Sequence, residues 1–181
     1  MSRKSIRQRT LFIALLILCA SASTALAQEQ AQPEERVLPA QTTVWEAYGL
    51  SFNLPQAMRE TLSTDTHWKL QASDMDLDVV VLDRYTYTDE ELGKEVVECV
   101  LRGGMNLAEA RIIKFENGAL QGGGIIGKNE YDSDVIALCV ENIDTAYAFL
   151  ILIQNADGQE AKGKTVLDSI KLHPPGNLIV R

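Results

Sequence analysis

Phe149-Leu150-Ile151-Leu152-Ile153 is apolar at five successive positions. A strand points its side chains alternately to two faces, so a strand carrying this run can leave neither face in water. The sheet it joins must therefore be covered on both sides. A second run, Val79-Val80-Val81-Leu82, lies in a β-branched segment at 76–85 and reads as another strand of the sheet interior.

Working outward from these runs, Thr88 followed by Glu91 is a capping box. Leu92, Val96, Cys99 and Val100 recur at helical spacing, and Gly103-Gly104 supplies an end. These features predict a helix over 89–102. Strands are predicted over 108–115, 119–127, 134–141 and 146–154, with Asn117-Gly118 as the hairpin turn between the first two. Before them, Leu50, Phe52 and Leu54 alternate with small or polar residues and form a strand stopped by Pro55. A short helix is expected at 56–62 and a short strand at 66–71. Val166, Leu167 and Ile170 make the apolar stripe of a last helix over 159–171, which His173-Pro174-Pro175-Gly176 ends. The expected fold is α+β: a mostly antiparallel sheet with helices on both faces, an α/β/α sandwich.

Arg3, Lys4, Arg7 and Arg9 precede an uncharged run whose apolar centre spans 11–20, and Ala25-Leu26-Ala27 supplies small residues at the processing positions. Residues 1–27 thus read as a signal peptide cleaved after Ala27, because the apolar centre is far shorter than the roughly 20 residues that span a membrane. The expected location is periplasmic or secreted, with no membrane span after cleavage. Residues 28–41 read as a flexible linker, 42–172 as one globular domain and 173–181 as a C-terminal tail. Four of the 17 basic residues but none of the 25 acidic ones lie in 1–27. The remainder holds 13 basic against 25 acidic residues, a net charge of −12. That charge disfavours nucleic acid and anionic lipid as partners.

Motifs for chemistry fail at specific positions. Gly122, Gly127 and Lys128 match a phosphate-binding loop up to Asn129, where serine or threonine is needed. An acidic, turn-like segment follows in place of a helix, so a glycine-rich strand with a close backbone contact is the expectation. Asp74, Asp76 and Asp78 suggest calcium, yet Val79 and Tyr85 stand where a calcium loop needs glycine and glutamate. His67 and His173 sit in no recognisable catalytic setting, and Trp45, Tyr48, Trp68, Tyr85 and Tyr87 are expected to pack in the core and its rim. No catalytic, metal or cofactor residue is selected. Beyond residue 27 the cysteines are Cys99 and Cys139. Two readings stand for them: a disulfide, available only if the 89–102 helix packs on the Val135-Ala137-Cys139 face of its strand, or two small buried thiols.

The opening strand Gly-Leu-Ser-Phe-Asn-Leu-Pro at 49–55, a helix before a run of antiparallel strands, and a closing helix with Leu167-Asp168-Ser169-Ile170-Lys171-Leu172 resemble the PsbP-like fold. That fold includes the Ran-binding Mog proteins and many exported bacterial proteins. The resemblance implies a non-catalytic domain that binds a protein or cell-envelope component, and it carries over no functional residue. The competing expectations are a hydrolase using scattered carboxylates and a structural assembly or stress factor.

Overall fold

The apolar run at 149–153 lies inside strand β10 (Tyr147–Asn155), at the centre of an eight-stranded sheet. The computed structural model describes residues 36–156 and 160–173; the readings for 1–35 and 174–181 lie outside them. In spatial order the large sheet is β1 (Val37–Leu38), β4 (Met58–Ser63), β5 (His67–Gln71), β6 (Met75–Asp83), β10, β9 (Asp134–Asn142), β8 (Leu120–Lys128) and β7 (Arg111–Asn117). Every neighbouring pair is antiparallel. In register, Ile151 faces Val79 on one side and Leu138 on the other. Phe149, Ile151 and Ile153 join one core cluster with Leu77, Val79, Ile136, Leu138 and Val140, whereas Ala148 and Leu150 join a second with Leu82, Val135, Ala137 and Cys139. Each valine, leucine, isoleucine or phenylalanine side chain among them contributes about 1.5 to 3 kcal/mol by leaving water.

Helix α1 (Asp89–Arg102) covers the second cluster with Leu92, Val96, Cys99 and Val100. The capping box is formed on both sides, since Thr88 Oγ1 accepts from the Glu91 amide and the Glu91 carboxylate accepts from the Thr88 amide. At the far end Gly104 takes a left-handed φ of 73°. The amides of Gly104 and Met105 then bond the carbonyls of Leu101 and Val100, while Val100 and Met105 pack in the same cluster, which completes a Schellman motif.

On the first cluster the cover is shared between a helix and a second sheet. Strands β2 (Thr42–Trp45), β3 (Leu50–Asn53) and β11 (Lys171–Leu172) form a three-stranded sheet in the order β11-β3-β2. Its Trp45, Leu50 and Phe52 pack in the cluster that also holds Val166 and Ile170 from helix α2 (Glu160–Ser169) and its end. The sandwich expectation therefore needs correction here, because α2 stops short of residue 171 and the chain returns as β11 along β3.

Three further expectations change. Residues 56–62 are good local helix formers, yet they supply β4, because pairing with β1 and β5 buries Met58 and outweighs propensity. The linker expected over 28–41 contains β1, whose Leu38 is buried and pairs with Met58, so the domain starts before residue 42. The strand expected from 108 begins at Arg111, after a 3-10 turn at Leu107–Glu109 capped by Asn106. The β7–β8 turn is a two-residue loop in which Gly118 alone has positive φ, 62°.

Two carboxylates carry a pH dependence. A side-chain bond from Gln56, then Lys162 at 2.6 Å, hold Asp74 below the ordinary carboxylate range, and the Thr88 amide does the same for Glu91. A depressed folded value gives stability that is present above the unfolded value and lost as pH falls through the folded one. The melting midpoint is expected to hold steady above roughly pH 5 and to drop as pH is lowered through about 4. Asp74→Asn should lower the midpoint more at pH 7 than at pH 3; equal losses would remove Asp74 as a source.

Candidate binding cleft

On the sheet face that carries α1, one flank of the helix and the strands beside it enclose an open cleft of about 340 Å³. Its helix wall is Asp89, Leu92, Gly93 and Val96; its floor is Ile112, Gly122, Gly123, Gly124 and Ile125; Cys139 and Glu141 close it along β9. The glycines set how closely β8 lies on β9. A Cβ at Gly122 would lie 2.0 Å from the Cys139 carbonyl oxygen, and one at Gly124 would lie 2.1 Å from that of Ala137. β8 approaches β9 so closely that no side chain fits at either position; both alternate with Leu120 and Ile126 toward the first cluster, while Gly123, on the α1 face with Ile125, leaves the cleft floor bare there. Ile112, on the neighbouring strand, remains 87% exposed.

The rim is charged. Arg84 donates from Nε to Glu141 Oε2 at 2.7 Å and from Nη2 to Asp89, and it also bonds the Tyr87 carbonyl. Glu141 foremost, with Asp89, raises the guanidinium pKa above its ordinary value. One cation between two carboxylates leaves one net negative charge at the mouth. The space between the two acids is filled by the guanidinium, not left for a substrate.

The motif residues separate. Gly122 to Lys128 lie within β8, not in a loop opening a helix, and Lys128 Nζ bonds Asp132 at 3.0 Å and Asp134 at 3.4 Å. Asp74 is taken by Lys162 and Asp78 by His67 at 2.6 Å, so these two go to different partners. His173 Nε2 lies 3.0 Å from Ser51 Oγ, a contact that sequence reasoning missed, but Ser51 is fully buried and no substrate reaches it. Trp45 stacks on Trp68 with ring centroids 5.8 Å apart, Tyr48 meets Trp45 and Phe149 edge-on, and Tyr87 packs at the edge of the second cluster. Tyr85 stands 89% exposed. A smaller cavity of about 250 Å³ beside the two tryptophans is lined by Arg36, Glu60 and Asp65, with Trp68 Nε1 donating to Glu60 at 2.7 Å.

Cys99 and Cys139 are both free and buried. α1 does pack on the Val135-Ala137-Cys139 face, and the two thiols lie near enough to act on one another electrostatically, but no bond joins them. A Cβ at Gly103 would meet Val135 at 3.0 Å, while Leu92 and Val96 line the cleft with Cys139. Helix and strand thus run in opposite directions. Arg102 Nη2 donates to Cys99 Sγ at 3.0 Å, and burial pushes the Cys139 thiol up to about 12. Thiol counting on denatured, non-reduced protein of residues 28–181 should find two free thiols; none would show that the two are bonded.

No family model matches the chain, and no curated protein matches it. Among solved structures it is similar to the Ran-binding protein Mog1p of Saccharomyces cerevisiae, with a TM-score of 0.47 and 8% identity over 77% of this chain and 95% of that one. That likeness is too distant to carry over a partner or an activity.

Proposed function

We propose that this chain is an exported, non-catalytic domain, periplasmic or secreted, that binds a protein partner of the cell envelope through the cleft between α1 and β7–β8. The observation that carries the reading is the pairing of an apolar floor, with Ile112 87% exposed, and an acidic rim at Asp89 and Glu141. An exposed apolar side chain beside an open cavity marks a surface that gains by being covered. The complementary ligand is a peptide segment with an apolar side chain next to a lysine or arginine. The net charge of −12 beyond residue 27 favours the same basic partner and disfavours nucleic acid. No described helix is long and apolar enough to cross a membrane.

A photocrosslinking residue at position 112, in cells producing the full chain, should trap a defined partner that is not a second copy of this chain. The same residue at Val37, 59% exposed on the opposite edge strand, should not. The trapped chain should begin at Gln28 by intact mass. Equal trapping from both positions would remove the cleft as the site, and a full-length chain would remove export.

A further inference from the structure

β7 is the last strand of the large sheet, and among the described residues it pairs only with β8. That pairing runs without a register shift from Arg111↔Ile126 to Asn117↔Leu120, so the outer edge is a regular strand of seven residues with no bulge and no proline. The opposite edge is built otherwise. There β1 has two residues, and the ladder between β4 and β5 shifts register between Glu60 and Leu62. Short strands and bulges keep sheet edges from pairing with other chains. One edge of this sheet has both devices; β7 has neither, and what it presents are the charged Lys114 and Glu116.

The side chains of β7 select the strand that fits. Lys114 and Glu116 are exposed on one face, with Phe115 between them on the other, packed at the margin of the first core cluster. A two-fold axis perpendicular to the sheet keeps each residue on its own face, so a second β7 can pair antiparallel only in registers centred on a residue. Centring on Lys114 sets lysine against lysine. Centring on Phe115 sets Lys114 against Glu116 of the partner subunit and, by symmetry, Glu116 against Lys114 of the partner subunit. Opposite charges directly across strands stabilise a pair, and like charges oppose it.

We propose that the chain self-associates through β7 into an isologous dimer centred on Phe115, with one sheet continuous across both subunits. The occupant of the outer edge, along 113–117, is a second copy. Sedimentation of residues 28–181 over a concentration series tests it. The wild type should show a reversible monomer–dimer equilibrium. Lys114→Glu and Glu116→Lys should each weaken the dimer about tenfold, because each sets like charges opposite one another twice. The double variant K114E/E116K should restore it, and at concentrations where each is monomeric all three should melt as the wild type does. A wild type that stays monomeric to hundreds of micromolar overturns the proposal, as does a dimer indifferent to the single swaps or unrescued by the double one. A monomer whose outward β7 amides resist hydrogen exchange would also overturn it, since another part of the chain would then hold the edge.

Discussion

Gly124→Ala is expected to cost at least about 3 kcal/mol, a large share of the roughly 5 to 15 kcal/mol that holds a domain together. The added Cβ would lie 2.1 Å from the Ala137 carbonyl oxygen and 2.9 Å from the Leu138 Cα. Both belong to the backbone of β9, where Val135 to Val140 are all buried, so neither can retreat without moving the centre of the sheet. Two controls separate crowding from conformation. Gly118→Ala, in the β7–β8 turn at φ 62° with nothing within 4 Å, should cost only about 1 kcal/mol for the left-handed backbone. Gly93→Ala, in the interior of α1 with open space around it, should stabilise by roughly 0.5 to 1 kcal/mol. Urea titration of the three variants checks the order. Near-equal midpoints for Gly124→Ala and wild type would mean that β8 stands off β9.

The elements that local chemistry decides are legible in the amino-acid sequence. α1 is one, because Thr88, Glu91 and Gly104 mark its ends and Leu92, Val96, Cys99 and Val100 its buried face. β10 is another, because a five-residue apolar run admits no solvated face. β1, β4 and β11 are not legible in this way. Each depends on a partner supplied by the fold, such as Ser51 for Lys171, 120 residues away, and the helix-forming residues at 56–62 point the other way. The site is legible only in part. The run Gly122-Gly123-Gly124 signals close backbone contact, which is what it makes. That its bare surface faces the flank of α1, with Ile112 exposed beside it and Arg84 bridging Asp89 and Glu141, follows from strand order that no local pattern records. Which face of β9 α1 covers, and so whether Cys99 comes near Cys139, is likewise a property of packing.

The second large effect is expected at Gly93. Because a Cβ there meets nothing within 4 Å, Gly93→Leu should fold at least as well as the wild type while its side chain occupies the cleft. Binding of a cleft ligand should weaken by at least about tenfold, the scale set by denying one apolar side chain its burial. Ile112→Glu should weaken it comparably by adding a charge to the floor. Arg84→Gln, which leaves Asp89 and Glu141 without their shared cation, should tighten binding of a basic peptide. Loss of folding in Gly93→Leu would show instead that the helix flank is already filled.

The most direct test of the cleft is an NMR titration of residues 28–181 with two short peptides. One carries a leucine flanked by lysines, the other the same leucine flanked by glutamates. The lysine peptide should shift the amides of Gly93, Val96, Ile112, Gly123 and Ile125, the glutamate peptide should leave them in place, and Gly93→Leu should abolish the response. Shifts confined to other surfaces, or the same response to both peptides, would contradict the assignment of this cleft as the binding site.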